Sequence, residues 1–241
     1  MSRFWAEPQR LLIEPDALVV VGSGGSARRI AFDAAPDLAL AAFAGESADL
    51  VRRGSRWQVS IADALVRYLV VRWPDGLRGR GERVAFVAHR FREVHGVVAP
   101  EWQIAVERTA TRLPALACAA PAVLVAAIGD WARRNRVRLV GASGEFIATY
   151  NRVRPALAHP LGALAVQRAG RVTVGLWHDA VWHALRSQPL GSGGDAGLAL
   201  FLESMRVGAG ASGEGVMYCA GTGFDAPPGW RTVRLGDAAW A

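Results

Sequence analysis

The sequence predicts an α/β fold with mixed sheets, organised in two lobes, and three observations carry that prediction. Short apolar runs separated by Gly, Ser, Ala and Pro come in groups of three, at 17–44 and again at 162–186, the pattern of a β-meander. Between the groups, strand-like runs alternate with segments of helical periodicity, as in chains that pack helices on sheets. The 241 residues are 51% hydrophobic and 20% charged, which allows a large core and excludes disorder.

The first group comprises ALVVV (17–21), ARRIAFD (27–33) and LALAAFA (38–44), read as three strands. LVRYLVVRW (65–73) is a strand rich in Val, Tyr and Trp. GERVAFVAHRFREVHG (81–96) places Val84, Phe86, Val87, Phe91 and Val94 at helical spacing, with Arg90 and Glu93 outward. Gly96 is suited to end that helix in the left-handed conformation. EWQIAVER (101–108) alternates as a strand, with LPALACA (113–119) as its hairpin partner. PAVLVAAIGDWARRNR (121–136) opens on Pro and closes on basic residues, both favourable to a helix. VRLVGAS (137–143) is a strand, and GEFIATYNRVRPAL (144–157) a short helix stopped near Pro155.

The second group is GALAVQ (162–167), RVTVGLW (171–177) and VWHALR (181–186). A loop GSGGDAG (191–197), a helix LALFLESMRV (198–207) and a loop GAGASGEG (208–215) follow. VMYCAG (216–221) and RTVRLG (231–236) are closing strands. The recurrence of the meander predicts two related lobes.

Charge and cysteine content narrow the function classes. The net charge is +7 and all 28 basic side chains are arginine. They are scattered in ones and twos, whereas a nucleic-acid face uses basic blocks interleaved with stacking aromatics. Nucleic acid is therefore not the expected partner, and a basic surface near an anionic membrane or acidic partner fits better. Cys118 and Cys219 lie in small apolar contexts and read as buried free thiols. No apolar run reaches the roughly 18 residues of a membrane span. The N-terminal MSRFWAEPQRLLIEP lacks a signal-peptide core, so a cytoplasmic location is expected.

Two glycine motifs invite a cofactor reading. Gly22-Ser23-Gly24-Gly25-Ser26-Ala27 fits G-x-G-x-x-A after an apolar run. A dinucleotide site needs a helix straight after that loop and an acid roughly 20 residues on. Glu46 lies near that distance, but Pro36 limits the helix. Gly208-Ala209-Gly210-Ala211-Ser212-Gly213 fits G-x-G-x-x-G but follows a helix and reads as a loop. His178, Asp179 and His183 form the densest His/acid group; they fall on a turn and the next strand, with nothing to complete a zinc site. No G-x-S-x-G nucleophile motif is present. No catalytic residue and no metal ligand is assigned.

Six segments, in one order, resemble a known family: VSIADALVRYLVVRWPDGL (59–77), AFVAHRFREVHG (85–96), EWQIAV (101–106), LACAAPAVLVAAI (117–128), EFIATYNRVRPAL (145–157) and GRVTVGLWHDAVWHALRSQPL (170–190). They are similar to the actin-like assembly proteins of type IV pilus and type II secretion machines, the PilM-like proteins and the cytoplasmic domain of GspL. The resemblance covers roughly 55–190; Trp73-Pro74 reverses the family's Pro-Trp order and Tyr150-Asn151 replaces Phe-Asn.

The resemblance implies an actin-like fold of duplicated ribonuclease H-like lobes, each opening with a three-stranded meander. The first lobe would span 1–158 with a subdomain inserted at about 55–120, and the second 159–241. It implies a non-catalytic scaffold at the cytoplasmic face of the inner membrane, binding the short cytoplasmic tail of an inner-membrane assembly protein, with self-association left open. An ATPase of this fold needs a phosphate-binding turn with an Asp in each lobe. The two turns read here, Gly22–Ser26 and Arg168–Arg171, lack one, so a degenerate nucleotide site and no cofactor are expected. The alternative is an active ATP- or dinucleotide-dependent enzyme using Gly22, Ser23, Gly24, Gly25 and Ser26.

Overall fold

The computed structural model describes residues 8–22, 26–46, 51–77, 79–98, 100–107, 113–190, 194–208, 210, 213–221 and 228–236. Along them run strands β1 (Gln9–Ile13), β2 (Ala17–Val21) and β3 (Ala27–Ala31), helix α1 (Pro36–Glu46), then β4 (Arg56–Ile61) and β5 (Arg67–Val71). Next come α2 (Arg80–His95), β6 (Trp102–Val106), β7 (Ala115–Pro121), α3 (Ala122–Arg134), β8 (Arg138–Gly144) and α4 (Glu145–Val153). A 3₁₀ turn (Arg154–Ala156) leads to β9 (Leu161–Arg168), β10 (Arg171–His178), β11 (Val181–Pro189), α5 (Gly194–Gly208), β12 (Gly215–Ala220) and β13 (Trp230–Arg234).

The chain divides into two units: Met1–Val66 with Val98–Gln103 and Ala120–Glu145, and Arg67–Val97 with Ile104–Ala119 and Phe146–Ala241. The first contains a five-stranded sheet ordered β3-β2-β1-β4-β8. Its first three strands are antiparallel neighbours, while β1, β4 and β8 run parallel. The second contains a sheet ordered β11-β10-β9-β12-β13. There too three antiparallel strands lead into a parallel trio, β9, β12 and β13. The same strand order, with α1 and α5 each preceding the first added parallel strand, is the duplication the two meanders predicted. A third sheet, β5-β7-β6, completes the described strands.

The first meander is shifted by one strand from the sequence reading. QRLLI opens it as β1, and LALAAFA is not a strand but lies in α1. Pro36 sits at the first helical position and Asp37 in the first turn, where a missing N–H costs nothing and a negative charge meets the helix dipole. Five of the eleven α1 residues lie in the Ala-rich stretch Leu38–Ala42, and Ala and Leu are strong helix formers. The apparent alternation of Leu with Ala carried no polar face. β1 escaped notice because Leu11, Leu12 and Ile13 are all buried; a strand covered on both faces does not alternate. β4 was also missed. The helix α5 begins at Gly194, inside the stretch read as a loop.

Other elements form for the reasons the sequence suggested. α2 ends at Gly96 with φ 65°, and the Gly96 N–H donates to the Arg92 carbonyl at 3.0 Å. Val87 and Phe91 are its buried residues, while Val84 and Val94 face outward. α3 buries Leu124, Ile128, Trp131 and Ala132 on one stripe. Trp131 stacks on Phe43 of α1 at 6.0 Å and meets Trp57 of β4 edge-on at 5.2 Å. In the second unit, alternate residues Val172, Val174 and Leu176 of β10 join Leu202 and Met205 of α5 in one core. Each fully buried side chain of this size contributes about 2 kcal/mol. Cys219 is buried and Cys118 partly so, both as free thiols. No described helix is long and apolar enough to cross a membrane.

Candidate functional site

Parallel strands bring their carboxyl ends to one edge, which is where open α/β sheets place ligands. In the first unit Ile13, Ile61 and Gly144 are aligned neighbours at the ends of β1, β4 and β8. Acids follow all three strands closely: Glu14, Asp63 and Glu145, each buried. Sequence reasoning passed over them. The available signal was an acid at the end of each apolar run, legible only once β1 and β4 are recognised as strands.

One of these three acids, Glu14, is engaged by a cation from within the protein. Arg29 of β3 donates through Nη1 to Glu14 and through Nη2 to Asp16 at 3.0 Å. Its guanidinium is held charged by those bonds, chiefly the one to Glu14. The β1–β2 turn, closed by the Glu14 N–H donating to the Ala17 carbonyl at 2.8 Å, therefore presents carboxylates already engaged by a fixed cation. Among the described residues, no group of three His, Cys, Asp or Glu side chains is arranged to hold a metal ion.

The glycine loop 22–26 occupies a different place from the one the sequence suggested. It joins β2 to β3, with Val21 opposite Ala27, so it is the second turn of its meander. The Gly22 N–H donates to the Ser26 carbonyl at 3.1 Å; Ser23, Gly24 and Gly25 lie outside the described residues. The segment after the loop is a strand, so its G-x-G-x-x-A opens a hairpin and no helix N-terminus. Of the second motif, Gly208 ends α5, while Ala209, Ala211 and Ser212 lie outside the described residues.

In the second unit the counterpart of the β1–β2 turn is Ala169-Gly170, between β9 and β10. Ala169 has φ 48° and Gly170 φ 68°; two central residues with positive φ make a type I′ hairpin turn. It carries no carboxylate, and Arg168 and Arg171 flank it. The counterpart of the glycine loop is Asp179-Ala180, with φ 49° and 61°. Around that turn the His178 and His183 rings lie 6.1 Å apart, and His178 Nε2 is 3.7 Å from Asp179 Oδ2. Burial, then the nearby charges of Arg72 and His178, hold His183 below the ordinary imidazole range.

The second unit also contains a groove of about 590 Å³ beside His183. Its lining includes Arg72 and Trp73, just past β5, and Val181, Trp182 and His183 of β11. Trp182 is buried against Tyr150 at 4.8 Å, Trp177 at 5.6 Å and Phe146 at 6.0 Å. Gly175 on β10 makes this cluster possible, because a Cβ there would meet Phe146 at 2.5 Å and Trp182 at 2.7 Å.

No family model matches the chain, and no curated protein matches it in sequence. Solved structures do. A Bacteroides thetaiotaomicron protein with an actin-like ATPase fold and unknown function aligns at TM-score 0.61 and 10% identity, over 92% of this chain and 86% of its own. The cytoplasmic domain of EpsL, an inner-membrane component of the Vibrio cholerae type II secretion system, aligns at TM-score 0.58 and 11% identity, over 96% and 90%. A chain of the PilM–PilN type IV pilus biogenesis complex aligns at TM-score 0.56 and 13% identity, over 89% and 82%. Together with the duplicated sheet topology, these likenesses give the chain the actin-like fold.

Proposed function

We propose that the chain is a non-catalytic assembly component of a type IV pilus or type II secretion kind of machine. It works at the cytoplasmic face of the inner membrane, where it holds the short cytoplasmic tail of a membrane partner, and its nucleotide site is degenerate. The observation that carries this reading is Arg29. A nucleotide-hydrolysing turn needs a carboxylate available to position metal-bound water, with backbone N–H groups for phosphate. In the β1–β2 turn the carboxylates Glu14 and Asp16 are bonded to Arg29. In the β9–β10 turn there is no carboxylate at all. These two turns therefore do not fit Mg-ATP. The fold likeness to the EpsL domain and to the PilM–PilN complex supports the assembly role.

Two measurements test the reading. A ligand that binds only the folded chain raises its melting temperature, so millimolar ATP with Mg²⁺ is expected to leave the melt unchanged; a micromolar Kd for a fluorescent ATP analogue overturns the degenerate site. Affinity purification from membranes is expected to recover a single-span membrane protein whose cytoplasmic tail, as a synthetic peptide, binds the full chain. Recovery of soluble metabolic enzymes alone overturns the assembly role.

A further inference from the structure

The groove in the second unit has a composition that its surroundings do not explain. At about 590 Å³ it is within the usual size range of ligand sites, about 300–1,000 Å³. Trp73, Val181, Trp182 and Val207 make its wall apolar, and Arg72 and His183 are its ionisable lining residues. Among the described residues Arg72 makes no ion pair. His183 Nδ1 is buried and, among the described residues, has no hydrogen-bond partner. Arg83 adds a second guanidinium nearby, 5.4 Å from the Trp73 ring centroid. The nearby acid Asp179 lies beside His178. The walls are also held in place. Trp182 is packed by Tyr150 and Trp177, and Trp73 by Phe86 at 6.3 Å, so little ordering cost is left for a ligand to meet.

We propose that this groove docks an acidic peptide segment of a partner protein. A carboxylate is held by the Arg72 guanidinium, whose paired N–H groups match it, and the neighbouring aromatic or branched side chain lies against Trp73 and Trp182. His183 supplies a second polar contact. Charge complementarity selects an acidic segment, and the two tryptophans select a peptide over a bare anion. This site stands apart from the assembly role and does not depend on it.

The test uses the full chain labelled with ¹⁵N. Its nine tryptophans give indole N–H signals, of which Trp73 and Trp182 are assigned through Trp73→Phe and Trp182→Phe. The probe is the peptide acetyl-Asp-Leu-Phe-Asp-amide, with acetyl-Asn-Leu-Phe-Asn-amide and sodium phosphate as comparison ligands. The acidic peptide is expected to shift both assigned signals, and the amide peptide to bind about tenfold more weakly, as does the acidic peptide to Arg72→Gln. His183→Gln is expected to weaken it less. Equal binding of the two peptides, phosphate shifts of the same size and affinity, or no shift at millimolar acidic peptide each overturn the proposal.

Discussion

Arg29 on β3 donates to Glu14 in the turn between β1 and β2, and a second nitrogen of the same guanidinium reaches Asp16 at 3.0 Å. Glu14 is 2% exposed and Arg29 50%, so the pair runs from the interior to the surface. Arg29→Ala leaves a buried carboxylate without this cation. A hydrogen bond to a charged group contributes about 1.5–3 kcal/mol, and the exposed end lowers this through solvent screening. A loss near 1.5 kcal/mol in urea unfolding is expected. A loss below about 0.5 kcal/mol would reduce the contact to an ordinary surface pair.

Two glycine-to-alanine changes should act in opposite directions. At Gly175 the new Cβ meets the Phe146 and Trp182 rings at 2.5 and 2.7 Å, and overpacking of this kind costs about 1–3 kcal/mol. At Gly129, inside α3, the nearest atom is Arg133 Nη1 at 3.5 Å, an ordinary contact. There the gain in helix propensity is about 0.5–1 kcal/mol. Thermal melts of the two variants check the signs, and near-ultraviolet circular dichroism should change for Gly175→Ala alone.

The hairpin turn at 169–170 holds Ala169 at φ 48°, a conformation that costs an L-residue about 1–2 kcal/mol. Ala169→Gly removes that cost and adds about 0.4–1 kcal/mol of unfolded-chain entropy. A net gain of about 0.5 kcal/mol is expected from denaturant titration. Ala180→Gly, at φ 61°, should behave alike.

Burial, followed by Arg72 and His178, lowers the His183 pKa from 6.5. As pH falls through about 6.5 the unfolded chain takes up a proton that folded His183 resists. The unfolded state then binds more protons, so the stability contributed by this residue is present above that pH and is lost below it. The loss levels off once pH passes the folded pKa. His183→Gln should remove this part of the slope, read as the difference between the two unfolding free energies from pH 8 to pH 5.

Local chemistry made many elements legible. Gly96 ended α2, basic residues closed α3, and the turns after Arg168 and His178 stood between well-alternating strands. LALAAFA failed because its alternation of Leu with Ala imitates a strand, while the helix propensity of Ala and Leu, with Pro36 and Asp37 at the start, decided for the helix. QRLLI failed because a strand buried on both faces leaves no alternation to read.

By itself the sequence determined the α/β class, the duplicated meander, the second-unit turns and the positions of most helices, since these rest on spacing and on residues with strong backbone preferences. Only the tertiary structure decided which turn opens the first sheet, and hence that Glu14 and Asp16, not the glycine loop, stand at its parallel edge. Only it paired those acids with Arg29, brought Arg72 to His183, and seated Trp182 over Gly175. Those relationships join residues far apart in the chain, and what sets them is strand order and close packing, neither of which leaves a local trace.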